Sequence, residues 1–129
     1  MITNKYQYPE LQRIENSLGR FYIDSENNEV PSVTTVLDNM SDKKASLKEW
    51  RNRVGDIEAD RVMNEATDIG SMVHLSLENY LNGIDDDIFT DNSIGNMAKR
   101  MSKKLIDDAL VNISEVYGLE VHLVLNKLY

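Results

Sequence analysis

The spacing of apolar residues along this chain passes from alternation to a helical period and back to alternation. Each change predicts an element. From Leu11 to Asp24, the runs L-Q-R-I-E and R-F-Y-I-D flank Asn16-Ser17-Leu18-Gly19, and Phe21 and Ile23 alternate with Arg20, Tyr22 and Asp24. Alternation on both sides of a turn-forming tetrapeptide predicts a β-hairpin. S-E-N-N-E (Ser25 to Glu29) predicts a second turn. Pro31 then holds Val30 extended, and Ser32 is placed to cap a short helix with Val33, Val36, Leu37 and Met40 on one face.

Three further helical stretches follow. Ser41-Asp42 predicts the start of a helix whose apolar stripe is Leu47, Trp50 and Val54, with Gly55 breaking or bending it. The period continues from Asp56 to Ile69 with Ile57, Val62, Ala66 and Ile69 inward. Gly70 is expected to reset the chain before another helix to about Leu81, whose core face is Met72, Val73, Leu77, Tyr80 and Leu81. Asn82 to Asn92 reads as an acidic loop. Ser93 is expected to cap a long helix to about Ser114, with Ile94, Met97, Ala98, Met101, Leu105, Ala109, Leu110 and Ile113 on its apolar face. Alternation returns from Leu119 to Leu128, where Leu119, Val121, Leu123 and Leu125 interleave with Glu120, His122, Val124 and Asn126. That predicts a strand, and a strand needs neighbours for its backbone groups. The pattern as a whole predicts an α+β fold: an N-terminal hairpin, a helical region, and one strand beginning a sheet.

Composition narrows the class. A chain of 129 residues with 41% apolar and 28% charged residues fits one globular domain spanning 1–129. No apolar run approaches the roughly 18 residues that a membrane-spanning helix needs, and the N-terminus lacks the apolar core of a signal peptide. The absence of cysteine excludes disulfides and thiolate metal sites and fits a cytoplasmic protein. A net charge of −8 disfavours binding nucleic acid over the whole surface. The average hides two basic clusters: Lys43, Lys44, Lys48, Arg51 and Arg53, then Lys99, Arg100, Lys103 and Lys104. There is no glycine-rich phosphate loop, zinc-ligand pattern or G-x-S-x-G elbow in the sequence.

The candidate chemistry centres on G-S-M-V-H-L-S-L-E, Gly70 to Glu78. It sets His74 and Glu78 one helical turn apart in a chain with only two histidines. Its fellow elements are P-S-V-T-T-V-L (Pro31 to Leu37), L-K-E-W-R-N-R-V-G (Leu47 to Gly55) and Y-G-L-E-V-H-L (Tyr117 to Leu123), with L-Y at the end. In this order they resemble the N-terminal part of phage-type exonucleases of the PD-(D/E)XK superfamily. These are RecB-like nucleases, among whose relatives is the mitochondrial genome maintenance exonuclease. The resemblance covers nearly the whole chain and about the first two-thirds of the family's unit. It implies a metal-dependent DNA exonuclease in the host or cell cytoplasm, built on a restriction-endonuclease-like core.

By that resemblance, His74 helps hold a catalytic Mg²⁺ or Mn²⁺, Glu78 supports His74 from one turn away, and Glu120 is a supporting carboxylate on the final strand. Ser32, Thr34 and Thr35 at a helix start, with Lys48, Arg51 and Arg53 on the next helix, are placed near the DNA backbone. The family's metal-binding aspartate lies in L-Y-A-G-x-x-D and its second carboxylate and lysine in D/E-x-K. This sequence stops at Leu128-Tyr129, so the chain alone is expected to be inactive, and metal binding is expected only with the complete site. A second polypeptide carrying the remaining strands is an implied partner. Plain alternatives stand beside each residue: a surface histidine at 74, an i,i+4 partner at 78, a solvent-facing strand residue at 120, simple capping by Ser32, and a solvated cationic face on the Trp50 helix, with Trp50 itself in the core. At the level of function the alternatives are a non-catalytic DNA- or partner-binding module derived from such a nuclease and, less favoured, an acidic protein that mimics DNA.

Overall fold

A computed structural model describes residues 2, 3 and 5–124 of the chain. The described residues form an α+β protein with a three-stranded antiparallel sheet and four α-helices. They divide into two compact units, one made of Met1–Lys5 and Val54–Leu119, the other of Tyr6–Arg53 and Glu120–Tyr129.

In the second of these units, β1 (Gln12–Asn16) pairs with β2 (Gly19–Ile23) in the register Ile14 opposite Phe21, with Asn16 opposite Gly19. The predicted hairpin therefore forms, closed by Ser17 and Leu18, and Asn16 Oδ1 accepts the Leu18 N–H at 2.8 Å. β3 (Glu29–Pro31) adds to β2, with Val30 opposite Tyr22. The sequence pattern predicted Val30 extended but not its pairing, because three residues ending in proline carry too little alternation to register as a strand. Between β2 and β3, Asp24 organises the turn: its Oδ1 accepts from Glu26 N at 3.0 Å and from Asn28 N at 2.8 Å.

Helix α1 (Val33–Met40) is capped as expected, the Ser32 hydroxyl accepting from Thr35 N at 3.1 Å. Its apolar face is not inward. Val33 and Met40 are 74% and 80% exposed, and Val36 and Leu37 are exposed with them. The helix is instead tied to β2 by Thr35, the only one of its residues that is buried. The Thr35 hydroxyl accepts from Arg20 N at 3.0 Å and lies 3.0 Å from Arg20 O, which also accepts from Ser32 N at 2.9 Å. Gly19 makes this approach possible: its φ is +128°, and a Cβ there would stand 2.8 Å from Thr35 Oγ1 and Cγ2. Helix α2 (Lys43–Val54) follows and buries none of its residues. Trp50 and Val54 are half-buried and Leu47 is exposed, so the stripe is only partly covered.

The other unit is a helical hairpin. α3 (Asp56–Asn82) runs without a break for 27 residues. Gly55, with φ +91°, separates it from α2, but the expected reset at Gly70 does not occur. Glycine in a helix costs backbone entropy without preventing the helix, and a helix this long absorbs that cost. Gly83 ends α3 in the left-handed region, with Gly83 N bonded to Tyr80 O and Ile84 N to Asn79 O, a Schellman cap. α4 (Ser93–Asp108) is capped by Asn92 rather than Ser93, the Asn92 Oδ1 accepting from Gly95 N at 2.8 Å. It stops at Asp108, short of Ser114, and a single 3-10 turn at Leu110–Asn112 follows.

α3 packs on α4 through small residues: Ala59 and Val73 on one helix and Gly95, Ala98 and Ser102 on the other are buried. Several residues expected inward are not. Ile57 is 90% exposed, and Val62, Ala66, Met97, Met101, Leu105, Ala109 and Ile113 are exposed too. A two-helix hairpin covers one narrow seam, and apolar positions on either side of that seam stay open. No helix among the described residues is long and apolar enough to cross a membrane.

The predicted strand Leu119–Leu128 does not form over 119–124; Leu125 to Leu128 lie outside the described residues. Glu120 takes φ +51°, which turns the backbone out of the extended region and destroys the period-2 relation between neighbours. The segment is held instead by a side chain. His122 Nδ1 accepts the Leu11 N–H at 3.1 Å, and its ring packs against Tyr22 at a centroid distance of 5.6 Å.

Candidate functional site

α3 carries His74 and Glu78 on one face because residues one turn apart stack on a helix. Thr67 and Ser71 join them at the same spacing, so the strip Thr67–Ser71–His74–Glu78 is polar throughout and points away from buried Val73. His74 is exposed and Glu78 half-buried. Side chains on a helix lean toward its N-terminus, and Gly70 lies one turn before His74 on that side. A Cβ at Gly70 would meet nothing within 4 Å, so the space on this side of the ring is open. Among the described residues, no hydrogen bond or ion pair joins His74 to Glu78.

The donor set can be tested against a divalent ion. Mg²⁺ requires near-octahedral coordination, chiefly by oxygen, and His74 with Glu78 supplies two donors. Among the described residues there is no group of three or more histidines and carboxylates placed to hold a metal. These residues do not make a complete site by themselves, and no catalytic step follows from them. Asp68 and Ser71 line a neighbouring cavity of about 290 Å³ with Met72, Thr90, Asn92 and Ile94, where the Thr90 hydroxyl bonds Asn92 Oδ1 at 2.8 Å.

The residues expected to meet DNA all belong to the sheet-bearing unit. Ser32 and Thr35 spend their hydroxyls inside the structure, on the α1 cap and on β2, and their Oγ atoms are 2.9 Å apart. Thr34 alone of the three stays exposed, lining a cavity of about 290 Å³ with Glu15, Asn16, Arg20 and Asp38. On α2, Lys48 and Arg53 are exposed and Arg51 is half-buried and engaged. Arg51 and Arg53 occupy the last turn, where cations also favour the helix dipole. Lys43 reaches Asp38 at 3.6 Å. Two of the four bases in the second cluster are answered along their own helix, Lys103 to Asp107 and Lys104 to Asp108, each at 2.6 Å.

Glu120 is corrected from a pleated strand position to an exposed residue in a left-handed bend. It belongs to the sheet-bearing unit, whereas His74 belongs to the helical hairpin. His122, to which the sequence assigned no role, is the residue of this segment with a defined partner. Alternation concealed it, because the period placed it with Glu120 on a solvent face.

Carboxylates outside the motif carry the clear electrostatic perturbations. A hydrogen bond from Arg13, with help from Arg20, holds the Glu15 carboxyl below the usual glutamate range. Bonds from the Asn28 backbone, then its side chain and the Glu26 amide, do the same for Asp24. On α3, Arg61 lowers Glu58 and is itself raised, chiefly by Glu58. Glu15, Glu58 and Arg61 are exposed and Asp24 is half-buried, and they organise surface turns and helix faces. Asp24 and Glu26 also border a cavity of about 420 Å³ with Tyr6, Tyr8, Leu11, Leu123 and Val124.

Comparison with protein-family models, with curated proteins and with solved structures finds no match to the chain.

Proposed function

We propose that the chain is the N-terminal part of a metal-dependent DNA exonuclease of the PD-(D/E)XK type, working in the cytoplasm. One observation carries this reading. The motif Gly70–Glu78, third in an ordered series that resembles this family, presents its histidine on an exposed polar strip with open space over Gly70. In this reading His74 gives one ligand to a Mg²⁺ or Mn²⁺ site, and the carboxylates that complete the restriction-endonuclease-like centre come from outside the described residues. When bound, the ion would activate a water for attack on a phosphodiester. Glu78 positions the imidazole, and Thr34, Lys48 and Arg53 offer a hydroxyl and two cations to the DNA backbone.

The test uses the two histidines as probe and control. Mn²⁺ titrated into the chain together with a second polypeptide that supplies the completing carboxylates, and with a short linear duplex, is expected to broaden the His74 imidazole resonances and spare those of His122. Equal effects on both rings up to millimolar Mn²⁺ would overturn the metal role. The chain alone is expected to leave linear DNA intact. Robust Mg²⁺-dependent degradation that disappears in His74→Ala would contradict that expectation.

A second reading, a non-catalytic DNA-binding module, draws on α2, a helix that buries none of its residues while exposing Lys48 and Arg53. Salt-dependent duplex binding that falls in Lys48→Glu/Arg53→Glu, with no Mn²⁺ effect at His74, favours it over the first.

A further inference from the structure

We propose that His122 is a proton-operated clasp on the cavity of about 420 Å³ in the sheet-bearing unit. One wall of that cavity is the segment Tyr6–Leu11, and another is Leu123–Val124, with the Asp24–Glu26 turn beside them. Leu11 and Leu123 belong to separate stretches of chain, and the bond from Leu11 N–H to His122 Nδ1, at 3.1 Å, joins the two walls directly.

The chemistry of that bond makes it sensitive to protons. An imidazole nitrogen accepts a hydrogen bond only while it carries no proton, so His122 is the neutral ring with its hydrogen on Nε2. Protonation turns Nδ1 into a donor. Two N–H groups then face each other, and the Leu11 amide loses its acceptor. A lysine or arginine here could not work this way, and an asparagine could hold the bond but never release it.

Among the described residues, no carboxylate is paired with the ring to keep its charged form in place. Against the ring stands Tyr22 of β2, tilted by 56°. In register beside Tyr22 are Arg13 on β1 and the apolar Val30 on β3. Arg20 and Glu15 share that sheet face, and Glu15 is committed to Arg13 and Arg20. Asp24 spends its carboxylate on the turn amides. On the flanking chain, Glu10 and Glu120 are exposed. Protonation of the ring therefore replaces a bond by a repulsion, and segment 120–124 separates from the Tyr6–Leu11 wall. The cavity opens. This inference does not depend on the nuclease reading.

The whole chain, isotopically labelled, tests it by NMR at about pH 8 and about pH 5. Protection of the Leu11 amide, measured against an unstructured amide at the same pH, is expected to fall about fivefold as the His122 ring protonates. His122→Asn keeps an acceptor oxygen without a titrating proton and should hold Leu11 protected at both values. Three results overturn the proposal: unchanged Leu11 protection while the ring protonates, a ring still neutral at the lower pH, or the same loss in His122→Asn.

Discussion

The sheet-bearing unit and the helical hairpin are held together in different ways. In the hairpin, Ala59, Val73 and Ala98 are buried apolar residues, and Gly95 and Ser102 are buried with them on α4. Small side chains let two helix backbones come close, so cohesion comes from close packing along a seam. In the sheet-bearing unit the one buried residue among those described is Thr35, 8% exposed. There the helix is fastened to the sheet by directed bonds from one hydroxyl to the backbone of Arg20. The first arrangement tolerates little added volume. The second tolerates little loss of polarity.

The sharpest test of close packing in the hairpin unit is Gly95→Ala, where α4 meets the loop that precedes it. A Cβ at Gly95 would stand 1.8 Å from the Thr90 carbonyl oxygen, a contact that only movement of the backbone could relieve. The expected cost is about 3 kcal/mol or more, at the upper end of overpacking, read as a lowered urea midpoint. A neutral Gly95→Ala would mean that the loop before α4 is free to retreat from the helix.

Thr35→Val tests the directed bonds. The substitution keeps the shape and removes the hydroxyl, leaving Arg20 N–H without its acceptor at a half-buried position. A loss of about 2 kcal/mol is expected, whereas Thr35→Ser, which keeps the oxygen, should lose about half as much. If valine and serine cost the same, the methyl group rather than the hydroxyl holds α1, and the contrast between the units disappears.

Legibility in the sequence divides along physical lines. The β1–β2 hairpin, the Ser32 cap and the Gly55 break were all readable, because each depends on a few neighbouring residues. The reading failed where distant contacts decide. Nothing local says that α1 turns its valines and methionine outward while a threonine is buried, or that Ile57 lies open. The end of the chain misled for a related reason: Leu119, Val121 and Leu123 alternate like a strand, but Glu120 is left-handed and His122 is captured by Leu11 and Tyr22. Of the candidate site, the shared face of His74 and Glu78 followed from helical spacing alone. The commitment of Ser32 and Thr35 to internal bonds did not, since a hydroxyl at a helix start serves a cap or a ligand equally well.

Gly70→Ala carries the smallest effect and separates two kinds of glycine within one unit. Gly70 lies inside continuous α3, and a Cβ there meets nothing within 4 Å, unlike Gly95. Alanine should therefore stabilise the protein by about 1 kcal/mol, through helix propensity and a less disordered unfolded chain. The same substitution places a methyl group in the open space one turn before His74. Stability and site then give separate readouts: a raised melting temperature measures the helix, and weaker Mn²⁺ broadening at His74 measures the room that a ligand needs. A destabilised Gly70→Ala would restore the broken helix that the sequence pattern suggested. Increased stability together with weaker Mn²⁺ broadening would show that this glycine keeps space open over the imidazole, at a cost to the helix that carries it.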